Sequence, residues 1–208
     1  MLEHLPRWLG QALSGLRAGG DKVAVAALRP GEVQPIALTS PAFPDGGRIP
    51  ERFTADGEGL SPPLAWGELP AGTVALALLV EDADAPSPSP LVHAVVWDID
   101  PAAGSLAEGA IGRSGDDEAD GVQPETGRNS FLRRGWLPPD PPPGHGTHHY
   151  VFQLFALSST PNMDSAPGRS ALLEEIGSRL VGAGVLTGLY SREEEATAGP
   201  TGADAIPI

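Results

Sequence analysis

The sequence has no cysteine among its 208 residues, which removes disulfides and thiolate metal sites from consideration and leaves the redox compartment open. Positive charge is scarce. Lys+Arg number 13 against 27 Asp+Glu, giving a net charge of −14, which argues against non-specific binding to nucleic acid or an anionic membrane. Lys22 is the single lysine. Aromatic residues make up 5% of the chain, and no apolar run approaches the roughly 20 residues that span a bilayer. The start, Met1-Leu2-Glu3-His4-Leu5-Pro6-Arg7, lacks a basic stretch followed by an apolar block, so a cytoplasmic protein without integral membrane association is expected. Two catalytic signatures are also missing. There is no Gly-x-Ser-x-Gly elbow and no His-Glu-x-x-His helix motif.

What is plentiful is glycine and proline, 27 and 23 residues respectively, a loop-rich balance that suits a β protein better than a helical bundle. The length allows one domain with a full core. Leu2, Leu5, Leu9, Leu13 and Leu16 recur at helical spacing beside Trp8, so residues 1–20 read as an amphipathic N-terminal helix stopped at Gly19-Gly20-Asp21. Val23–Leu28 and Ile36–Thr39 read as short strands. The strongest strands follow. In Val74–Asp82, residues Val74, Leu76, Leu78, Val80 and Asp82 share a face, as do His93, Val95, Trp97 and Ile99 in the next strand. In His148–Leu157 the same holds for His148, Tyr150, Phe152 and Leu154. Residues 100–147 form a long connection rich in Gly, Asp and Pro, of a length associated with function or mobility. Arg169–Val181 reads as a helix, Val185–Tyr190 as a last strand, and residues 193–208 as a disordered acidic and Gly/Pro tail.

Asp82, His93 and His148 thus each stand at a strand end on a mainly apolar face, which points to one shared polar pocket. Acidic residues so placed need compensation, and an imidazole beside a buried carboxylate supplies it. With the backbone N–H groups of Gly144 and Gly146 facing it, such a pocket suits a phosphate or carboxylate. The plainer alternative is that Asp82 and Asp84 close a turn and the histidines are merely packed. A metal site is a further alternative, since two histidines and a carboxylate match zinc or iron ligation. Against it, His148 and His149 are adjacent on a strand and point to opposite faces. Glycosidic chemistry through Asp82 and Asp84 is disfavoured because both leave one short turn rather than flanking a cleft.

The motifs resemble the phosphatidylethanolamine-binding protein family, in its bacterial Raf-kinase-inhibitor-like branch. Asp82-Ala83-Asp84-Ala85-Pro86 with His93 is similar to the family's Asp-Pro-Asp-x-Pro and following histidine. Pro141-Pro142-Pro143-Gly144-His145-Gly146-Thr147-His148-His149-Tyr150 resembles its Pro-Pro-x-Gly-x-x-His-Arg-Tyr. Supporting blocks are Leu38–Phe43, Ser61–Trp66, Leu69–Thr73, Arg128–Phe131 and Leu186–Tyr190, in the family's order over residues 36–192. The resemblance implies an antiparallel β-sandwich with a crossover connection and a C-terminal helix over residues 21–192, to which this chain adds its N-terminal helix as a dimer arm. It implies a non-enzymatic, cofactor-free binding protein for a small anion such as phosphate or a phosphoethanolamine head group, with no metal. By motif Asp82, His93 and His148 are the polar residues of the pocket, Asp84 shapes its turn, and Pro86, Pro142, Gly146 and Tyr150 are walls. It also implies a cis Ala85-Pro86 bond. An interaction protein docking near the pocket, as eukaryotic relatives do with kinases, and a metal-dependent hydrolase using the same cluster are the alternatives. The chain departs from the family pattern at Ala83, at His149, and at Leu91-Val92 where many members carry tryptophan.

Overall fold

The two segments with the clearest period-two alternation become the centre of the larger sheet. In the computed structural model, residues 15–28, 33–113, 124–163 and 166–192 are described, with Gln11 and Leu13. In chain order the described strands are β1 (Gln34–Pro35), β2 (Leu38–Thr39), β3 (Gly47–Arg48), β4 (Leu64–Trp66) and β5 (Ala75–Asp82). They continue with β6 (Leu91–Ile99), β7 (Ser105–Leu106), β8 (Glu125–Thr126), β9 (His148–Leu157) and β10 (Leu180–Tyr190). Two short α-helices, α1 (Ala24–Leu28) and α2 (Arg169–Gly177), and three single-turn 3-10 helices accompany them among the described residues.

The larger sheet runs β1-β10-β9-β5-β6-β8, with β3 also on β10, and the smaller runs β2-β4-β7. The long strands pair antiparallel, while β1 and β3 join β10 in parallel. Between the sheets lies one core, holding Leu38, Leu64, Trp66 and Leu106 from the small sheet against Leu78, Val80, Phe152 and Leu154 from the large one. On the other face of the large sheet Ala77, Leu79, Val95 and Phe155 pack against Ala24 of α1 and Leu172 and Ile176 of α2. The result is the expected mainly β sandwich, with a helical layer outside it. Because β5 is covered on both faces, every one of its residues is buried, including Glu81. That carboxylate accepts hydrogen bonds from Arg169 Nε (2.6 Å), Gln153 Nε2 (2.8 Å) and the Ala24 amide (2.7 Å), tying both helices to the sheet.

Several local expectations are corrected. Residues 24–28 form α1 rather than a strand. Three of its five residues are alanine, the best helix former, and Glu81 and Gln153 already hold its first amides. Ile36–Thr39 is not one strand, because the chain passes from the large sheet at β1 to the small one at β2. The face assigned to His93, Val95, Trp97 and Ile99 is broken by two shifts of register between β5 and β6. Irregularities beside His93 and at Asp98 (φ 56°) re-phase the strand. Val95 and Trp97 therefore pack under the helices while Ile99 joins the inter-sheet core. The C-terminal helix stops at Gly177, and β10 starts at Leu180, because Leu180 to Ala183 pair with the end of β9. Val74 is exposed and lies just before β5. No described peptide bond is cis, so Ala85-Pro86 is trans. Its turn is closed by the Ser87 amide donating to the Ala85 carbonyl at 2.7 Å. The expected N-terminal helix lies largely, and the acidic tail wholly, outside the described residues.

Candidate ligand-binding site

Antiparallel pairing of β5 with β9 sets Asp82 opposite Tyr150, which brings His148, at the start of β9, beside the end of β5. His148 Nδ1 meets Asp82 Oδ2 at 2.7 Å, and its Nε2 meets His145 Nδ1, also at 2.7 Å. His145 Nε2 then meets the Leu13 carbonyl at 2.9 Å. A carbonyl only accepts, so His145 Nε2 carries the hydrogen of that last contact, and a carboxylate end likewise requires a donor. Three hydrogen bonds in line need three hydrogens, and two neutral imidazoles bring two. The third is held between His148 and Asp82. That hydrogen balances the carboxylate charge, and both ring nitrogens of His148 are spent within the protein. The remaining oxygen of Asp82 accepts the Asp84 amide at 2.8 Å, closing the turn.

Asp84 faces the other way. One oxygen binds Arg17, and the other accepts the amide (2.8 Å) and Nδ1 (2.6 Å) of His149. Burial works to raise its pKa, but Arg17 and His149 outweigh burial and hold it below the ordinary carboxylate range. Arg17 also donates to the Thr147 carbonyl at 3.0 Å. The Ala18 and Gly19 amides donate to Ala85 and Ala83 at 3.0 and 2.9 Å. Leu13 and residues 15–19 therefore form a strap across the back of both site loops. Sequence reasoning assigned residues 1–20 no part in the site. No local signal marks Arg17, whose contact with Asp84 spans 67 residues of chain.

His93 is fully enclosed. Its Nδ1 donates to the Leu137 carbonyl at 2.7 Å, while Leu137 donates its amide to the His93 carbonyl at 2.8 Å. The ring meets Tyr150 edge-on, centroids 5.1 Å apart, and Trp136 at 6.2 Å. Burial lowers its pKa, outweighing the pull of Asp82, so the ring is neutral with a lone pair on Nε2. That nitrogen, Trp136 Nε1 and Tyr150 Oη are buried without a hydrogen-bond partner among the described residues. Burial, followed by the Asp82 charge, pushes the Tyr150 hydroxyl well above its usual range, so it remains a donor.

The His93 ring forms part of the wall of a cavity of about 50 Å³. Of the residues expected from sequence, Asp82, Pro86, His93, Pro142 and His148 line it. Asp84, Gly144, Gly146 and Tyr150 stand behind or beside these walls. Gly146 (φ 96°) lies against Arg17 on the strap side. Ala85, Leu91, Phe131, Leu137, Pro138 and Asp140 complete the lining. Leu91, where many family members carry tryptophan, gives an aliphatic wall. Asp140 was missed in the sequence because it lies in a proline run without periodicity. Its partner is Arg192, 2.6 Å away, which also grips Asp56 and the Pro141 carbonyl. Burial acts against the Arg192 charge, but Asp56 and Asp140 outweigh it and raise the guanidinium pKa above its ordinary value. Arg192 thereby anchors the 137–142 loop to the end of β10.

The sequence profile described as phosphatidylethanolamine-binding protein matches residues 39–191. The chain belongs to the phosphatidylethanolamine-binding protein family. Within it, a UPF0098 protein of Methanothermobacter thermautotrophicus is 36% identical over 157 residues, covering 74% of this chain and 98% of that protein. A Mycobacterium tuberculosis protein named as lipoprotein LppC is 40% identical over 124 residues, 60% of this chain and 56% of its own. Among solved structures, Escherichia coli YbcL superimposes with a TM-score of 0.68 at 26% identity, covering 75% of this chain and 98% of YbcL. The homologue CT736 from Chlamydia trachomatis gives 0.67 at 29% identity, covering 77% and 99%. These place the chain in the YbcL-like branch of the family. The strap, before residue 39, lies outside the matched region. No described helix is long and apolar enough to cross a membrane.

Proposed function

We propose that this protein is a non-enzymatic binding protein whose cavity takes a small anion of the phosphate or phosphoethanolamine head-group type. The observation that carries the reading is the cavity itself. It is small and partly open to solvent, and its lining includes His93, whose Nε2 is buried without a partner among the described residues. The likewise partnerless Trp136 and Tyr150 stand outside the lining, against the His93 ring. An unpaired buried group of this kind is costly in a resting protein, and a ligand that pairs with His93 Nε2 recovers that free energy. The carboxylates on the wall do not oppose an anion with full charge, since the third hydrogen offsets Asp82 and Arg192 offsets Asp140. A recognition role also fits the engagement of His148, which has no free ring nitrogen to act as a base or ligate a metal. Action in the cytoplasm and a homodimer built through the N-terminal segment belong to the same proposal. The lipoprotein name of one relative marks the competing location.

Calorimetric titration with phosphate and phosphoethanolamine, repeated on His93→Ala and His148→Ala, tests it. Saturable binding lost in both variants is expected. Absence of binding to the wild type, or equal binding in all three proteins, overturns it. One observation favours a second reading, a regulator that docks another protein near the pocket. Phe131 is 55% exposed at the cavity rim and its neighbour Leu132 is 78% exposed. Leu132→Ser, outside the cavity lining, would weaken such docking while leaving phosphate binding in place.

A further inference from the structure

Where each hydrogen sits in the cavity wall restricts what can enter. His148 uses Nδ1 on Asp82 and Nε2 on His145. Asp82 uses one oxygen on His148 and the other on the Asp84 amide. Asp140 is paired with Arg192. His93 has committed the hydrogen on Nδ1 to the Leu137 carbonyl, so its Nε2 presents a lone pair, buried and without a partner among the described residues. A lone pair accepts a hydrogen and repels the bare oxygen of an oxyanion. The charged and titratable groups around the ring are Asp82 on β5, His148 and Tyr150 on β9, and Asp140 in the loop before β9. None of them is placed to give Nε2 a hydrogen.

We propose that the cavity selects a ligand that brings its own hydrogen to His93 Nε2: the singly protonated form of phosphate or of a phosphate monoester, rather than the fully ionised form or a sulfate ester. The phosphate P–O–H donates to Nε2, the buried side-chain atom of the cavity lining that is left without a partner among the described residues. A sulfate ester has the same shape and one negative charge, but no hydrogen at neutral pH. This inference rests on the phosphate-type reading above and adds the protonation state to it. Burial keeps the His93 ring neutral and so unable to serve as the donor itself.

The test is titration of the whole protein with O-phosphoethanolamine and with its isostere ethanolamine O-sulfate between pH 5.5 and 8.5. Phosphoethanolamine affinity should fall about tenfold for each pH unit above the second phosphate ionisation, near pH 6. The sulfate ester should not bind at any pH. His93→Phe, which offers no acceptor, should abolish binding. His93→Gln keeps an acceptor and should retain binding with the same pH profile. Thermal melting of each variant establishes that it is folded. Equal binding of the two esters, or phosphoethanolamine affinity independent of pH, overturns the selection while leaving the phosphate-type reading intact. Binding of both esters only at acid pH also overturns it, because His93 would then be the donor. Failure of phosphoethanolamine to bind at all overturns the reading on which it rests.

Discussion

Replacing Asp82 by asparagine and by alanine should have sharply different consequences, because the Asp82–His148–His145–Leu13 line is a count of hydrogens before it is a count of charges. In Asp82→Ala the His148 Nδ1 and the Asp84 amide both lose their acceptor. Asp82 and His148 are buried, with side chains 7% and 1% exposed, so solvent does not step in. Removing one member of a buried pair costs about 3–5 kcal/mol. For a domain of this size that lowers the melting temperature by roughly 6–20 °C. Asparagine can keep the whole line. Its oxygen accepts from the Asp84 amide, its N–H supplies the third hydrogen to His148 Nδ1, and His148 Nε2 still donates to His145. Every partner remains satisfied with no charge to balance, so the expected loss is about 1 kcal/mol or less. Urea unfolding of the three proteins, analysed with a common slope, reads the difference. Asparagine as damaging as alanine would refute the hydrogen count. So would an alanine variant within 1 kcal/mol of wild type.

Three further outcomes are expected. Arg17→Ala removes the strap's grip on Asp84 and Thr147. With its side chain 36% exposed the loss should be modest, about 1 kcal/mol, but amide exchange should quicken at Ala83, Ala85 and Thr147 in particular. Unchanged exchange there would show that the strap does not hold the loops. Burial lowers the His93 and His145 pKa values from 6.5, so the unfolded chain binds protons that the folded one resists, and stability should fall as pH drops below about 6.5. His93→Phe should flatten that acid slope in melts between pH 7.5 and 5, and an undiminished slope would assign it elsewhere. Leu132 holds a left-handed φ of 59° while exposed, so Leu132→Gly should stabilise by about 1 kcal/mol through relief of backbone strain. A destabilised variant would mean that the side chain makes a contact worth more than that strain.

What was legible in the sequence was what local periodicity and motif order encode. Alternation sets β5 and β9 because side chains on a strand repeat every two residues. Register then carries Asp82 and His148 together at the ends of strands already identified. The family blocks located the cavity loops. The central part of β6 was misphased because irregularities beside His93 and at Asp98 arise from pairing with β5, which no window of β6 alone contains. Alanine-rich residues 24–28 likewise became helical only once Glu81 and Gln153, more than fifty residues away, had taken their amides.

The sequence by itself determined the chemistry available at the site: a carboxylate, two histidines and a glycine loop in family order, with no cysteine and little positive charge. Only the tertiary structure decided how that chemistry is disposed. It engaged both ring nitrogens of His148 within the protein, left the lone pair of His93 without a partner among the described residues, brought Asp140 into the wall under the hold of Arg192, and laid Leu13 and Arg17 across the back. Each of these depends on hydrogen bonds between residues far apart in the chain. The direction of such a bond is fixed by which partner already holds the hydrogen, a property of the assembled network that neither residue carries alone.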